Sequence, residues 1–251
     1  MSLAFVVSKV QYAPIPESTF QKAVSSIQEQ LRKKYPNISS RQKVQVVDVE
    51  LNAEADEQSV SKQTFLRIAM ASADLSWCVQ IMPTDLMLLT TSYESFEDFY
   101  GRVDEILEIA SEALDITHTG FVGIRYINKF ELDPETDSFP SIGRQEFLQP
   151  SILDFKMGGS NLSARYKTQE GWLNLNSGVS INSPSLLPDL HSLIAEWKPN
   201  NDVGMGAWAH VDIDSFASSD GLKEFDREYV MNTLKQLRKY AKDAYNSIVS
   251  E

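Results

Sequence analysis

Between residues 42 and 91 the chain carries four strand-like runs in succession, with no helical pattern between them. The runs are K-V-Q-V-V-D-V-E-L, T-F-L-R-I-A-M-A, S-W-C-V-Q-I-M and D-L-M-L-L-T-T. Parallel neighbours need a crossover of a dozen or more residues, whereas antiparallel neighbours need only a short turn. Pro83 lies in the last connection, where no ladder hydrogen bond is required. The succession therefore predicts an antiparallel meander.

Three longer segments carry apolar residues at helical spacing. The first begins at Ser18, which forms a capping-box pattern with Gln21, and the second begins near Ser95, which forms the same pattern with Asp98. The third begins at about Phe225 and includes a stripe that runs from Tyr229 to Ile248. The chain therefore has the pattern of an α+β protein, in which mainly antiparallel sheets pack against long amphipathic helices.

The loop Asp133–Gly143 is acidic and rich in proline and glycine, which is typical of a boundary or hinge. It separates an N-terminal α+β subdomain, residues 1–132, from a C-terminal one, residues 144–251. Each half ends in antiparallel strands followed by a long helix. Two related subdomains are one interpretation of that similarity, although no residue pattern repeats between the halves.

Composition limits the classes of partner. A formal net charge of −12 over 251 residues disfavours duplex nucleic acid, because such binding depends on clustered Lys and Arg. No apolar run reaches the roughly 20 residues that span a bilayer, and the start of the chain lacks a basic leader. The single cysteine, Cys78, agrees with a reducing compartment. We expect a cytoplasmic protein that binds no membrane.

The run A-W-A-H-V-D-I-D-S-F contains the strongest candidate for a metal site. On a strand its side chains alternate, so His210, Asp212 and Asp214 share one face. Asp48 and Glu50 alternate in the same way, and if the two strands were neighbours these side chains could hold Mg²⁺ or Mn²⁺ for phosphoester hydrolysis. The alternative is the polar face of an ordinary amphipathic strand. A divalent metal is the only cofactor that these residues suggest.

Arg125 stands in F-V-G-I-R-Y-I-N-K-F, a strand that otherwise looks buried. An arginine in such a place needs an acidic or carbonyl partner. It is either a structural ion pair with one of the strand acids or a clamp for a small anion, and the second interpretation makes the protein an anion sensor.

Five motifs extend over most of the chain: Y-A-P-I at Tyr12–Ile15, T-T-S-Y-E-S-F-E-D-F, G-I-R-Y-I-N at Gly123–Asn128, H-V-D-I-D and A-Y-N-S-I. With these motifs the chain resembles a sporadically distributed family of uncharacterised prokaryotic proteins. The resemblance implies a bacterial or archaeal cytoplasmic protein, and sporadic distribution would suit an accessory or defence-type locus. It supplies no catalytic residue.

Motifs of nucleotide-binding loops, serine hydrolases and zinc proteases are absent from the sequence. We therefore expect a non-enzymatic interaction module that binds another protein or associates with itself, with a homodimer as one form. Trp172, Trp197 and Trp208 would be the anchors if they are accessible to solvent. Metal-dependent phosphoester hydrolysis and anion sensing remain the two alternatives.

Overall fold

The computed structural model describes residues 2–39, 42–52, 57–132, 139, 142–148, 158–181, 190, 193–194, 197, 199 and 207–249. These residues form ten strands, three α-helices and a short 3-10 helix at Gln145–Leu148. The strands are β1 (Ser2–Tyr12), β2 (Asn37–Ile38), β3 (Gln42–Asn52), β4 (Glu57–Ala71), β5 (Trp77–Ile81), β6 (Asp85–Thr90), β7 (His118–Glu131), β8 (Leu162–Lys167), β9 (Trp172–Ile181) and β10 (Ala207–Glu224). The helices are α1 (Glu17–Leu31), α2 (Phe96–Leu114) and α3 (Arg227–Ile248).

The strands form one antiparallel sheet in the order β2-β4-β5-β6-β1-β7-β10-β9-β8, and β3 pairs with β4 outside this path. The predicted α+β class with antiparallel pairing is confirmed. Strands of both predicted subdomains share the sheet, since β7 pairs with β10 along most of its length. The loop 133–143 lies largely outside the described residues, so the boundaries at 132 and 144 stay predictions.

All three helices contribute to the main core, on the side of the sheet that we call the helix face. Each helix turns a row of apolar side chains toward the sheet, such as Phe20 and Ile27 of α1, Ile106 of α2 and Leu237 of α3. The strands meet them with every second residue, because side chains alternate along a strand. Burial of these apolar side chains stabilises the fold by the hydrophobic effect.

The opposite side, which we call the second face, has a smaller apolar cluster. Phe5 of β1, Leu89 of β6 and Ile127 of β7 pack there with Leu190 and Trp197. The rings of Phe5 and Trp197 are 5.9 Å apart between centroids. Leu190 and Trp197, with Leu193 and Ile194 packed against the same cluster, therefore cover part of the second face.

Two helix starts differ in their outcome. The first helix does not begin at Ser18 as predicted: Pro16 is the N-cap, and its carbonyl oxygen accepts hydrogen bonds from the N–H groups of Thr19 and Phe20. Proline fixes φ near the helical value, so a helix can start directly after it. The second prediction is confirmed in its main part, since the Ser95 side chain accepts from the Asp98 N–H.

The third helix buries most of the predicted stripe, including Ala241 and Ile248, but not its first residue. Val230, Leu234 and Leu237 are buried, whereas Tyr229 is exposed. Tyr229 lies five residues before Leu234, which is about 140° around a helix with 3.6 residues per turn. In the described part of the chain, the helices are too short or too polar to cross a membrane.

Candidate functional site

The centre of the candidate site is β10, whose two faces differ sharply. Val211 and Ile213 lie on the helix face and are fully buried. His210, Asp212 and Asp214 lie on the second face, as the alternation predicted. Asp212 is 0% exposed and His210 only 2%, while Asp214 is half-buried. Two of the three polar side chains are therefore buried. On an ordinary amphipathic strand this polar face would be exposed to solvent.

Asp212 is held by Arg125. The Nε and Nη2 atoms of Arg125 donate to the two carboxylate oxygens of Asp212 at 2.8 Å each, a bidentate pair. In the β7–β10 register Arg125 stands opposite Asp214, so its side chain reaches diagonally to Asp212. The pair agrees with the structural interpretation of Arg125. Its guanidinium is already engaged, and the anion-sensor interpretation stays a prediction.

Amide side chains of β9 extend this polar row. Asn174 stands opposite Asp214 and Asn176 opposite Asp212. Each amide nitrogen lies 3.5 Å from an oxygen of its carboxylate. The second face of β7, β10 and β9 thus carries a guanidinium, two carboxylates and two amides in adjacent positions.

His210 stands opposite Lys129 of β7 and Gly178 of β9, with its ring 5.6 Å from the ring of Trp208 between centroids. Among the described residues neither ring nitrogen has a hydrogen-bond partner. Burial lowers the pKa of His210, and the nearby Asp212 carboxylate opposes that shift. Burial therefore favours the neutral form of the ring.

Asp48 and Glu50 lie on β3, which pairs with β4 near the far end of the sheet. Six strand-to-strand steps separate β3 from β10, which amounts to roughly 29 Å at about 4.8 Å per strand. The structure therefore does not bring these two residues beside His210, Asp212 and Asp214, which the five-residue metal site requires. Within the described ranges, no three His, Cys, Asp or Glu side chains are grouped as a metal ion would need.

A group of aromatic and basic side chains, which we call the basic-aromatic patch, lies next to the polar row. It consists of Phe121, Arg165, Lys167, Trp172 and Phe216. Lys167, Trp172 and Phe216 are directly opposite one another across β8, β9 and β10.

Cation–π contacts and ring stacking hold the basic-aromatic patch together. The Arg165 Cζ atom lies 4.5 Å from the Trp172 ring centroid, and the Lys167 Nζ atom lies 4.4 Å from it. Phe121 stacks on Phe216 with 5.5 Å between ring centroids. A Cβ atom at Gly123 would lie 2.8 Å from the Phe121 ring, so glycine is what allows that ring to lie flat on the sheet.

Only part of the basic-aromatic patch is apparent from local sequence. The residues Q-E-G lie in the turn of a hairpin between β8 and β9, which places Arg165 and Lys167 beside Trp172. Phe121 and Phe216 come from strands far apart in the chain, and only the β7–β10 pairing brings them together. Of the three predicted tryptophan anchors, Trp197 and Trp208 are buried and Trp172 is half-buried.

Strand β8 pairs with β9 and, in the described part of the chain, with no other strand. Its side chains are mostly exposed, and Tyr166 is 49% exposed. It carries two cations and no acidic residue, although the whole chain has a net charge of −12. The edge of the sheet is thus a locally basic surface on an acidic protein.

Comparisons with known proteins gave no match: no protein-family model, no curated protein and no solved structure is similar to this chain.

Proposed function

We propose that this protein is a non-enzymatic interaction module that binds an extended acidic segment of a partner protein along β8. The observation that carries the proposal is the sheet edge itself, where the outer side of β8 has no strand partner among the described residues and its second-face side chains form the basic-aromatic patch. An extended peptide can add to such an edge through main-chain hydrogen bonds, while alternate side chains provide specificity.

Charge favours an acidic partner. Arg165 and Lys167 are exposed and lie on the same side of β8, so every second residue of an added strand would pass close to one of them. The two acids of the polar row lie two strands inward on β10, and Asp212 is already paired with Arg125. Complementary charge accelerates association and selects the partner.

Trp172 provides an apolar contact beside the cations. Its ring lies between Lys167 and Phe216 in the cross-strand row and is half-buried. Aromatic and arginine side chains are enriched among residues that dominate binding energy at protein interfaces. The patch therefore combines an attractive charge with an aromatic anchor.

The experiment measures binding of a ten-residue peptide of alternating Glu and Thr, with a Lys/Thr peptide for comparison. We expect the acidic peptide to bind and to protect the β8 amides from hydrogen exchange. Its affinity should decrease as salt is added. Arg165→Gln/Lys167→Gln should weaken binding by roughly tenfold or more, because both attractive charges are gone. The matched control is Lys22→Gln/Lys33→Gln, which removes the same charge from exposed positions in and just after α1.

Four results would overturn the proposal. They are equal binding by the two double variants, no binding of the acidic peptide at millimolar concentration, preferential binding of a ten-nucleotide single-stranded DNA, and a wild-type dimer by light scattering with protected β8 amides. If the cations serve only to prevent sheet edges of two copies from pairing, the Arg165→Gln/Lys167→Gln variant will self-associate and the wild type will not bind the peptide.

A further inference from the structure

On the helix face, a cavity of about 210 Å³ lies between α3 and the strands β1, β7 and β10. We call it the tyrosine pocket, because Tyr93, Tyr126 and Tyr245 line it. The rest of the lining consists of Leu3, Asn128, Ile213, Arg238, Ala241 and Lys242. It shares no residue with the basic-aromatic patch.

Two hydroxyl groups in this pocket lack partners. The hydroxyl oxygens of Tyr126 and Tyr245 are buried and make no hydrogen bond of standard geometry within the described residues, although Tyr93 and Arg238 lie next to the Tyr126 hydroxyl. The Tyr126 side chain is only 9% exposed. Tyr93 and Arg238, the neighbours of the Tyr126 hydroxyl, line the same pocket as Tyr126. Buried polar groups in folded proteins are nearly always satisfied, and these two require an explanation.

Two cations stand one helical turn apart in the lining. Arg238 and Lys242 are separated by four residues on α3, so their side chains lie on the same side of the helix. Arg238 is half-buried and Lys242 is exposed, which places positive charge between the cavity and solvent. Arg238 presents a planar set of donors that matches a carboxylate, while Lys242 adds a second charge.

The volume limits the size of a ligand. Pockets for drug-sized ligands are about 300–1,000 Å³, so this one fits a smaller molecule. A cavity of about 150 Å³ is enough for benzene. One substituted ring therefore fits the tyrosine pocket.

We propose that the tyrosine pocket binds a small aromatic carboxylate with a hydrogen-bonding substituent on its ring. The ring lies against Ile213 and the tyrosine rings, the ring substituent pairs with the Tyr245 hydroxyl, and the carboxylate pairs with Arg238, Lys242 and the adjacent Tyr126 hydroxyl. The site is independent of peptide binding at β8 and would make the protein a sensor or carrier of such an acid.

The probes are 4-hydroxybenzoate, its neutral counterpart 4-hydroxybenzyl alcohol, and inorganic phosphate. Calorimetry and the melting temperature of the full chain measure binding, because a ligand that binds only the folded state raises stability. We expect 4-hydroxybenzoate to bind at least roughly tenfold more tightly than the alcohol and phosphate to produce no shift, because the acid alone uses both the cavity and the cations.

Three variants separate the contributions. Arg238→Gln should weaken the binding of 4-hydroxybenzoate by roughly tenfold or more. The affinity for the alcohol should not change, because only the acid carries a charge. Lys239→Gln is the matched control, since Lys239 is an exposed cation on the same helix and does not line the pocket. Ala241→Leu adds volume at a buried lining position and should abolish binding of both ring compounds.

The proposal is overturned by no response to 4-hydroxybenzoate at millimolar concentration, by equal weakening in Arg238→Gln and Lys239→Gln, or by undiminished binding in a folded Ala241→Leu variant. A high-resolution structure from crystals soaked in the acid, with only water on the Tyr126 and Tyr245 hydroxyls, would also overturn it, since ordered water satisfies buried polar groups equally well.

Discussion

The two faces of β10 are equally buried at the centre of the strand, but different interactions stabilise them. Ile213 on the helix face and Asp212 on the second face are both 0% exposed. Burial of the apolar Ile213 side chain lowers the free energy of the folded state. Burial of the Asp212 carboxylate costs hydration free energy, which the bidentate pair with Arg125 offsets. Equal burial therefore says little about how a site responds to substitution, and the partner of each side chain decides that response.

The largest effect is expected from Arg125→Ala. It leaves the Asp212 carboxylate buried without its counter-charge, which should lower the free energy of unfolding by about 3–5 kcal/mol. Urea unfolding followed by circular dichroism measures the loss. The double variant Arg125→Met/Asp212→Leu removes both charges and should recover most of it. A loss below about 1 kcal/mol in Arg125→Ala would show that the pair is not needed to compensate Asp212.

A smaller effect is expected on the helix face. Val211→Ala removes two methyl groups from a fully buried site. It should lower the free energy of unfolding by about 2 kcal/mol in the same assay. Ser218→Ala is the matched control, because Ser218 is an exposed residue of the same strand and its change should fall within about 0.5 kcal/mol. Equal losses in the two variants would argue against the assigned faces of β10.

The smallest effect should come from protonation of His210. Burial lowers its pKa below the ordinary value of 6.5, so the unfolded chain takes up the proton first as the pH falls. The stability contributed by the neutral ring is complete above about pH 6.5 and is lost as the pH falls through the lower folded-state pKa. Attraction by the Asp212 carboxylate limits the loss.

Urea unfolding at pH 7.5 and at pH 5.5 tests this dependence. His210→Phe keeps a ring in the site but cannot titrate, so its stability should fall less than that of the wild type between the two values. His118→Phe is the control, because His118 is exposed at the start of β7. The interpretation fails if the wild type and His210→Phe lose the same amount.

Local patterns predicted the parts of the fold that depend on local chemistry. The turn at Pro83 joins β5 to β6 in a hairpin, and the alternation along β10 places His210, Asp212 and Asp214 together. The order of the strands could not be predicted in this way. Asp48 and His210 carry the same strand pattern, yet β4, β5, β6, β1 and β7 lie between their strands. Alternation fixes which face a residue takes but not which strand becomes its neighbour.

Arg125 illustrates the same limit at the level of one side chain. Its neighbours in sequence are apolar, so a buried guanidinium there needs a partner, and the acidic residues of the other strands were candidates. The choice of Asp212 over the directly opposite Asp214 follows from side-chain reach across the β7–β10 register. The two unpartnered tyrosine hydroxyls had no sequence signal at all, because tyrosine on a helix or strand usually reads as an ordinary core residue.

The β7–β10 ladder also has a consequence for how the chain folds. It joins Arg125 to Asp212 across 87 positions of sequence, and contacts of such separation form late because a long loop must close first. During synthesis β7 emerges well before β10, so any sheet that the earlier strands form would have β7 as its unpaired edge until residue 224 is made. The charged Arg125 and Lys129 on that edge discourage it from pairing with other chains while it waits for β10.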